Sequence, residues 1–107
     1  MKKLWEILVP TIYRPTGKPI HTRFHRVWDQ KVRAITGGLT TFQPVKGQWI
    51  SPDNHLFNDR MIPVRVLATE DEIKQIVTLT GQYYKELAVM YYLVSEYAVI
   101  TRFPEND

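Results

Sequence analysis

The sequence predicts an α+β fold of the ferredoxin-like βαββαβ plan, with an antiparallel sheet and two helices on one of its faces. Three observations lead there. Apolar, β-rich runs at residues 4–11 and 61–68 alternate with period two. Two other segments, beginning near Thr22 and Thr69, carry apolar residues at helical spacing. The order along the chain is strand, helix, strands, helix, strand, and right-handed crossovers with one apolar face per helix leave this as the economical packing.

The first strand is Leu4–Thr11, with Trp5, Ile7 and Val9 on one side and Leu4, Glu6 and Leu8 on the other. Tyr13–Pro19 holds two prolines and a glycine and reads as a loop. From Thr22 to Ile35, Phe24, Val27, Trp28, Val32 and Ile35 form the inward stripe, with Arg26, Asp29, Gln30 and Arg33 outside, and Gly37-Gly38 stops the helix. Leu39–Phe42 and Gly47–Ile50 are short strands on either side of Pro44, and Ser51-Pro52-Asp53-Asn54 is a turn. Met61–Ala68 is the next strand; Pro63 lacks a donor, so a bulge or an unpaired position is expected there.

Thr69-Glu70-Asp71-Glu72 opens the second helix, with capping-box spacing and three acids at its positive end. Its stripe is Ile73, Ile76, Val77, Thr80, Tyr84 and Leu87. Ala88–Val94 is the last long strand, Tyr97–Thr101 extends it or forms a short extra one, and Phe103–Asp107 is a polar tail.

At 107 residues the chain is expected to be one domain, 1–107. No apolar run approaches the ~18 residues of a membrane span. Met1–Glu6 meets an acid early and Pro10 interrupts the apolar stretch, which speaks against a secretory signal. There is no cysteine, which removes disulfides, thiol catalysis and Cys-based zinc sites. A cytoplasmic protein without cofactor is the expectation.

If Trp5, Ile7, Val9, Ile62, Val64 and Val66 face the helices, the other sheet face carries Leu4, Glu6, Leu8, Met61, Arg65 and Leu67, joined by Tyr91 or Tyr92. Such a surface is too apolar for a monomer and predicts a homodimer or homotrimer, the alternative being a long loop folded across it, with Glu6 and Arg65 close enough to pair.

Charge is unevenly spread. Residues 1–50 hold nine Lys/Arg against two acids, whereas residues 51–107 hold five against nine. The basic half includes His21-Thr22-Arg23-Phe24-His25-Arg26, placed where a helix begins and its dipole disfavours cations by roughly 0.3–1 kcal/mol each. Helix-start N–H groups with guanidinium and imidazole donors suit a phosphate or carboxylate, so the candidate ligand-binding residues are Lys18, His21, Arg23, His25 and Arg26, with Arg14 closing over them. Trp49, beside Gly47, and Tyr84 are the candidate stacking surfaces. The alternative is a solvated basic helix face with aromatics in the core. His21 and His25 are four apart, but no third ligand accompanies them, so no metal site is expected. With no GxSxG, P-loop or dinucleotide fingerprint and no paired carboxylates, no catalytic residue is assigned.

The stretches LWEILVPT, HTRFHRVWDQKVRAITGGLT, GQWISPD and MIPVRVLATEDEI resemble short proteins of bacteriophages and bacteria. A strand ending in VP, a His-Arg helix, a mid-chain aromatic, VRVL, an acid-capped helix and VMYY also resemble phage S-adenosylmethionine lyases. That resemblance implies a trimeric PII-like ferredoxin fold with sites between subunits, and a phage setting; it carries no site residue over to this chain.

The expected function is therefore a small oligomeric protein that binds an anionic or nucleotide-like molecule at a subunit interface, in a phage setting sequestering a host signalling nucleotide. The alternatives are a cofactor-free lyase or other enzyme acting on a nucleoside metabolite such as S-adenosylmethionine, with Glu6 or a tyrosine as acid/base, and a nucleic-acid binder or partner-protein inhibitor. Nucleic acid is the less expected partner: the chain lacks the aromatic-rich signature of an RNA-stacking sheet, and oligomer burial would cover that face.

Overall fold

The structure is a computed structural model that describes residues 1–105; Asn106 and Asp107 of the expected tail lie outside the described residues. The elements are β1 (Lys3–Pro10), β2 (Ile12–Tyr13), β3 (Lys18–Pro19), α1 (Thr22–Thr36), β4 (Thr40–Thr41), β5 (Val45–Ile50), β6 (Leu56–Ala68), α2 (Glu70–Tyr83) and β7 (Tyr91–Ser95). An antiparallel sheet runs β4-β6-β1-β7, with β5 pairing the outer part of β6, and it is the α+β ferredoxin-like arrangement that the element order predicts.

Alternation in β1 and β6 builds the core. Trp5↔Val66, Ile7↔Val64 and Val9↔Ile62 are cross-strand neighbours, and Ile7, Val9, Val64 and Val66 are fully buried against Trp28, Val32, Ile73, Ile76 and Tyr84. The Trp28 indole N–H donates to Thr80 Oγ1 at 3.0 Å, tying α1 to α2. Satisfying this polar atom is what lets a tryptophan lie 1% exposed between helices.

Helix ends follow local chemistry. Thr69 and Glu72 form the reciprocal capping box, with Glu70, Asp71 and Glu72 in the first turn. Gly37, at φ 91°, ends α1 and donates its N–H to Arg33 O at 2.8 Å, a left-handed position where a side chain would be strained. The expected irregularity at Pro63 is present. Phe42 N–H donates to Pro63 O, and beside this proline the partner strand breaks into β4 and β5.

The other sheet face holds the expected pair. Arg65 Nε lies 2.9 Å from Glu6 Oε1, and the Tyr92 hydroxyl donates to Glu6 Oε2. Glu6 is only 8% exposed, and burying a carboxylate requires such partners. Leu4, Leu8, Met61 and Leu67 are half-buried, so the face is less bare than alternation alone implies.

Several boundaries differ from expectation. The loop at 13–19 contains the β2–β3 ladder. The strand expected at 61–68 begins at Leu56, so β5 and β6 form a long hairpin arm. Phe24 and Val27 are exposed, because the sheet meets α1 only through its Trp28 and Val32 side. Leu87 is 84% exposed: α2 ends at Tyr83, and Lys85 turns the chain at φ 56° before the stripe reaches residue 87. The last strand is Tyr91–Ser95, and Tyr97–Thr101 has no strand partner among the described residues.

Candidate functional site

Residues that the sequence scatters over seventy positions meet in a cavity of about 500 Å³ between the β2–β3 hairpin, the start of α1 and the end of α2. The hairpin roof exists because Thr16 and Gly17 N–H groups both donate to Tyr13 O (3.2 and 2.8 Å), with Gly17 at φ 69° completing the turn. Tyr13, Pro19, Ile20, Phe24, Tyr83 and Tyr84 make the apolar wall, while Thr16, Lys18 and His21 supply the polar atoms.

His21 is the N-cap of α1, its Nδ1 accepting the Arg23 N–H at 3.1 Å. No acid occupies the first turn of α1, in keeping with the basic sequence there. Phe24 is held at the mouth by its backbone, since the Tyr83 hydroxyl donates to Phe24 O at 2.7 Å. Below it, Tyr84 forms the floor. It is buried, stands edge-on to Tyr83 at 4.9 Å between ring centroids, and its hydroxyl lies 2.6 Å from His25 Nδ1.

The electrostatics of this floor are set by burial. Desolvation raises the Tyr84 phenol far above its ordinary range, with smaller contributions from Tyr83 and Asp29. Desolvation also lowers His25, partly offset by the Asp29 carboxylate. Both groups are therefore neutral at pH 7, and the bond between them is an uncharged one. Asp29 itself is raised, by desolvation first, against Arg33 and His25.

A second cavity, of about 300 Å³, lies on the other side of His25. Thr22, His25, Arg26, Asp29, Phe42 and Gln43 are among its lining. The His25–Tyr84 pair is thus the wall between the two.

The structure divides the candidate residues. Lys18, His21 and Tyr84 share the larger cavity, and His25 reaches it only through Tyr84. Arg26 lines the smaller one. Arg14 does not close over the basic cluster; its Nε donates to Lys85 O at 2.8 Å, next to the floor residue. Arg23 is exposed, its guanidinium 4.9 Å from the Phe24 ring centroid. Trp49 lines neither cavity: it lies on the arm, stacked on Phe57 at 4.6 Å, with its indole N–H on Asp59 at 2.8 Å. The residues that sequence reasoning missed as site residues are Tyr13, Thr16, Pro19, Ile20, Phe24 and Tyr83. The signal was the Tyr13…Gly17 turn flanked by strand-capable residues, which reads as loop because each strand has only two residues.

Among the described residues no group of three or more metal-ligating side chains occurs, and no helix is long and apolar enough to cross a membrane.

No family model matches the sequence, and no curated protein matches it. Solved structures do. The fold is similar to a divalent cation tolerance protein (CutA1) from Thermus thermophilus, at TM-score 0.64 and 8% identity, covering 100% of this chain and 88% of that one. It is similar to the periplasmic divalent cation tolerance protein CutA from Archaeoglobus fulgidus, at TM-score 0.60, 10% identity and coverages of 98% and 89%. It is also similar to a phage SAM lyase in complex with S-methyl-5'-thioadenosine, at TM-score 0.56, 10% identity and coverages of 97% and 93%. At these identities the likeness is one of fold.

Proposed function

We propose that this chain is a one-domain protomer of a homodimer or homotrimer that binds an anionic, nucleotide-like small molecule in the cavity roofed by the β2–β3 hairpin. The observation that carries this reading is the composition of that cavity: an aromatic wall of Tyr13, Phe24, Tyr83 and Tyr84, with Lys18 and His21 among its lining. Planar rings stack on such a wall, and a phosphate or carboxylate pairs with an ammonium and an imidazole. About 500 Å³ is within the range of small-molecule sites. Its position supports a subunit junction. The hairpin leaves β1 at Thr11, whose hydroxyl donates to Arg60 O at the root of the arm, so the cavity's roof and the projecting arm spring from the same end of β1.

In a phage setting such a protein sequesters a signalling nucleotide of the host cytoplasm. Isothermal titration against a panel of mono-, di- and cyclic nucleotides tests it. Binding by the wild type, weakened about tenfold or more in Lys18→Ala/His21→Ala, is the expected outcome. A panel with no binder removes the reading.

A second reading, a lyase acting on a nucleoside metabolite, is favoured by one observation: the His25–Tyr84 pair places two acid/base-capable groups in hydrogen-bond contact at the cavity floor. Glu6 is held by Arg65 and Tyr92 on the opposite sheet face, which leaves Tyr84 as the acid/base of that reading. Mass spectrometry of S-adenosylmethionine incubated with the protein separates the two, since a pure binder returns it unchanged.

A further inference from the structure

The smaller cavity, of about 300 Å³, exists because the sheet edge beside it is interrupted. Thr41 pairs Val64 and Val45 pairs Met61, so residues 42–44 stand opposite only residues 62 and 63, at the proline that lacks a donor. The extra residue on that side is a bulge, a feature that re-aims side chains at sheet edges. Here it brings Gln43 to the first turns of α1, and the opening between them descends to Val9, Ile62 and Val64. Val9 and Val64 belong to the buried core, so the cavity has an apolar floor.

Its rim carries opposite charges side by side. Arg26 and Asp29 are three apart on α1, where side chains are neighbours, yet they form no ion pair with each other. Asp29 is half-buried; desolvation holds its carboxyl above the ordinary range, and no hydrogen-bond donor among the described residues relieves it. His25 gives its Nδ1 to Tyr84, and its Nε2 has no partner among the described residues.

We infer that this cavity binds a small zwitterion, a free α-amino acid with an apolar side chain. Charge selects that class. A simple anion at Arg26 would have the Asp29 carboxylate beside it, and a simple cation at Asp29 would meet the Arg26 guanidinium, whereas a ligand bearing both signs satisfies the two together. Arg26 offers a planar fork to the ligand carboxylate. Asp29 accepts from the ammonium group, which offsets the cost of its half-buried position. Both ligand charges sit on one carbon, and this suits helix neighbours whose Cβ atoms are about 5–6 Å apart. Thr22 and Gln43 supply further hydrogen-bonding groups at the rim, and the side chain descends onto Val9, Ile62 and Val64. Size agrees, since about 300 Å³ is at the bottom of the range for small-molecule sites. The site is separate from the larger cavity and does not depend on what that one binds.

Isothermal titration of the full chain with L-valine and L-leucine tests this, alongside isocaproate and isoamylamine, which are leucine without its ammonium and without its carboxylate. Leucine is expected to bind, and each analogue to bind about tenfold or more weakly, because each leaves one charged partner unmatched. Arg26→Gln and Asp29→Asn are each expected to weaken leucine binding by a similar factor with an unchanged circular dichroism spectrum, whereas Lys18→Ala/His21→Ala leaves it as in the wild type. Amide chemical shifts locate the site without any substitution: leucine is expected to move the signals of residues 26–29 and 41–43. Isocaproate bound as tightly as leucine, or leucine binding that survives both substitutions, overturns the zwitterion assignment. No binding of either amino acid, or shifts confined to the residues around the larger cavity, overturns the site itself. Nucleotide binding in the larger cavity stands or falls on its own titration.

Discussion

β6 is one continuous strand of 13 residues with two different physical lives. From Met61 to Ala68 it pairs β1 throughout, alternates from Val64 onward, and buries Val64, Val66 and Ala68 under the helices. From Leu56 to Arg60 its only ladder partner is β5, and every side chain is exposed. Hydrogen-bonded backbone is common to both halves, so the ladder alone does not make a folded sheet; side-chain burial does. The molecule is 58 × 29 × 23 Å with a radius of gyration of 15.6 Å, against about 13 Å for a compact chain of this length. One half specifies the protomer, and the other leaves Leu56 and Phe57 in solvent.

The largest effect that tests this contrast is in the inner half. Ile7→Ala, opposite Val64, is expected to destabilise the protomer by about 2–5 kcal/mol in urea unfolding, from lost burial and the cavity left behind. Trp49→Ser/Phe57→Ser, on the outer half, is expected to leave protomer unfolding within about 0.5 kcal/mol. Equal destabilisation by the two would erase the contrast.

Next in size is Arg65→Ala. It strips the carboxylate of Glu6 of its cation on the inner half of β6, leaving only the Tyr92 hydroxyl. Arg65 is itself partly exposed, so water relieves some of the penalty, and a loss of about 1–3 kcal/mol is expected. Glu6→Gln/Arg65→Met is expected to recover much of it, because no charge is then left buried. Smaller again is Thr69→Ala, which removes one half of the capping box just beyond β6 and is expected to cost about 1 kcal/mol.

The contrast also decides what can be read from sequence. What local pattern and end chemistry specify is legible: the period of β1 and of residues 61–68, the Thr69–Glu72 cap, the Gly37 stop and the Glu6–Arg65 pair on the opposite face. The outer half of β6 is not. Leu-Phe-Asn-Asp-Arg has neither alternation nor β-preferring residues after its first two, since nothing in its own chain demands a buried face. The site is half legible for the same reason. Lys18, His21, His25 and Tyr84 stand out as basic or aromatic residues near a helix start or on a core stripe. Their sorting into two cavities depends on Tyr84 closing α2 over α1 some sixty residues away, which no local pattern encodes. Trp49 close to a glycine suggests a ligand, but that glycine lies opposite Asp59 in a projecting ribbon.

The last prediction asks whether the interior beneath the inner strands carries any pH dependence of its own. His25 is held neutral by burial against Tyr84, so its folded pKa lies below that of the unfolded chain. Between those two values the unfolded state binds more protons, and stability therefore rises with pH. The contribution is complete above the ordinary imidazole range, about pH 6.5, and is lost progressively as pH falls below it. Asp29 acts in the opposite sense but in the carboxylate range, near pH 4, because its folded pKa is raised. Urea midpoints measured from about pH 7.5 down to about 5.5 are thus expected to fall in the wild type and to stay nearly flat in His25→Gln. A flat wild-type profile, or a slope that persists unchanged in His25→Gln, would show that the buried pair is not the protonation-sensitive part of the protomer.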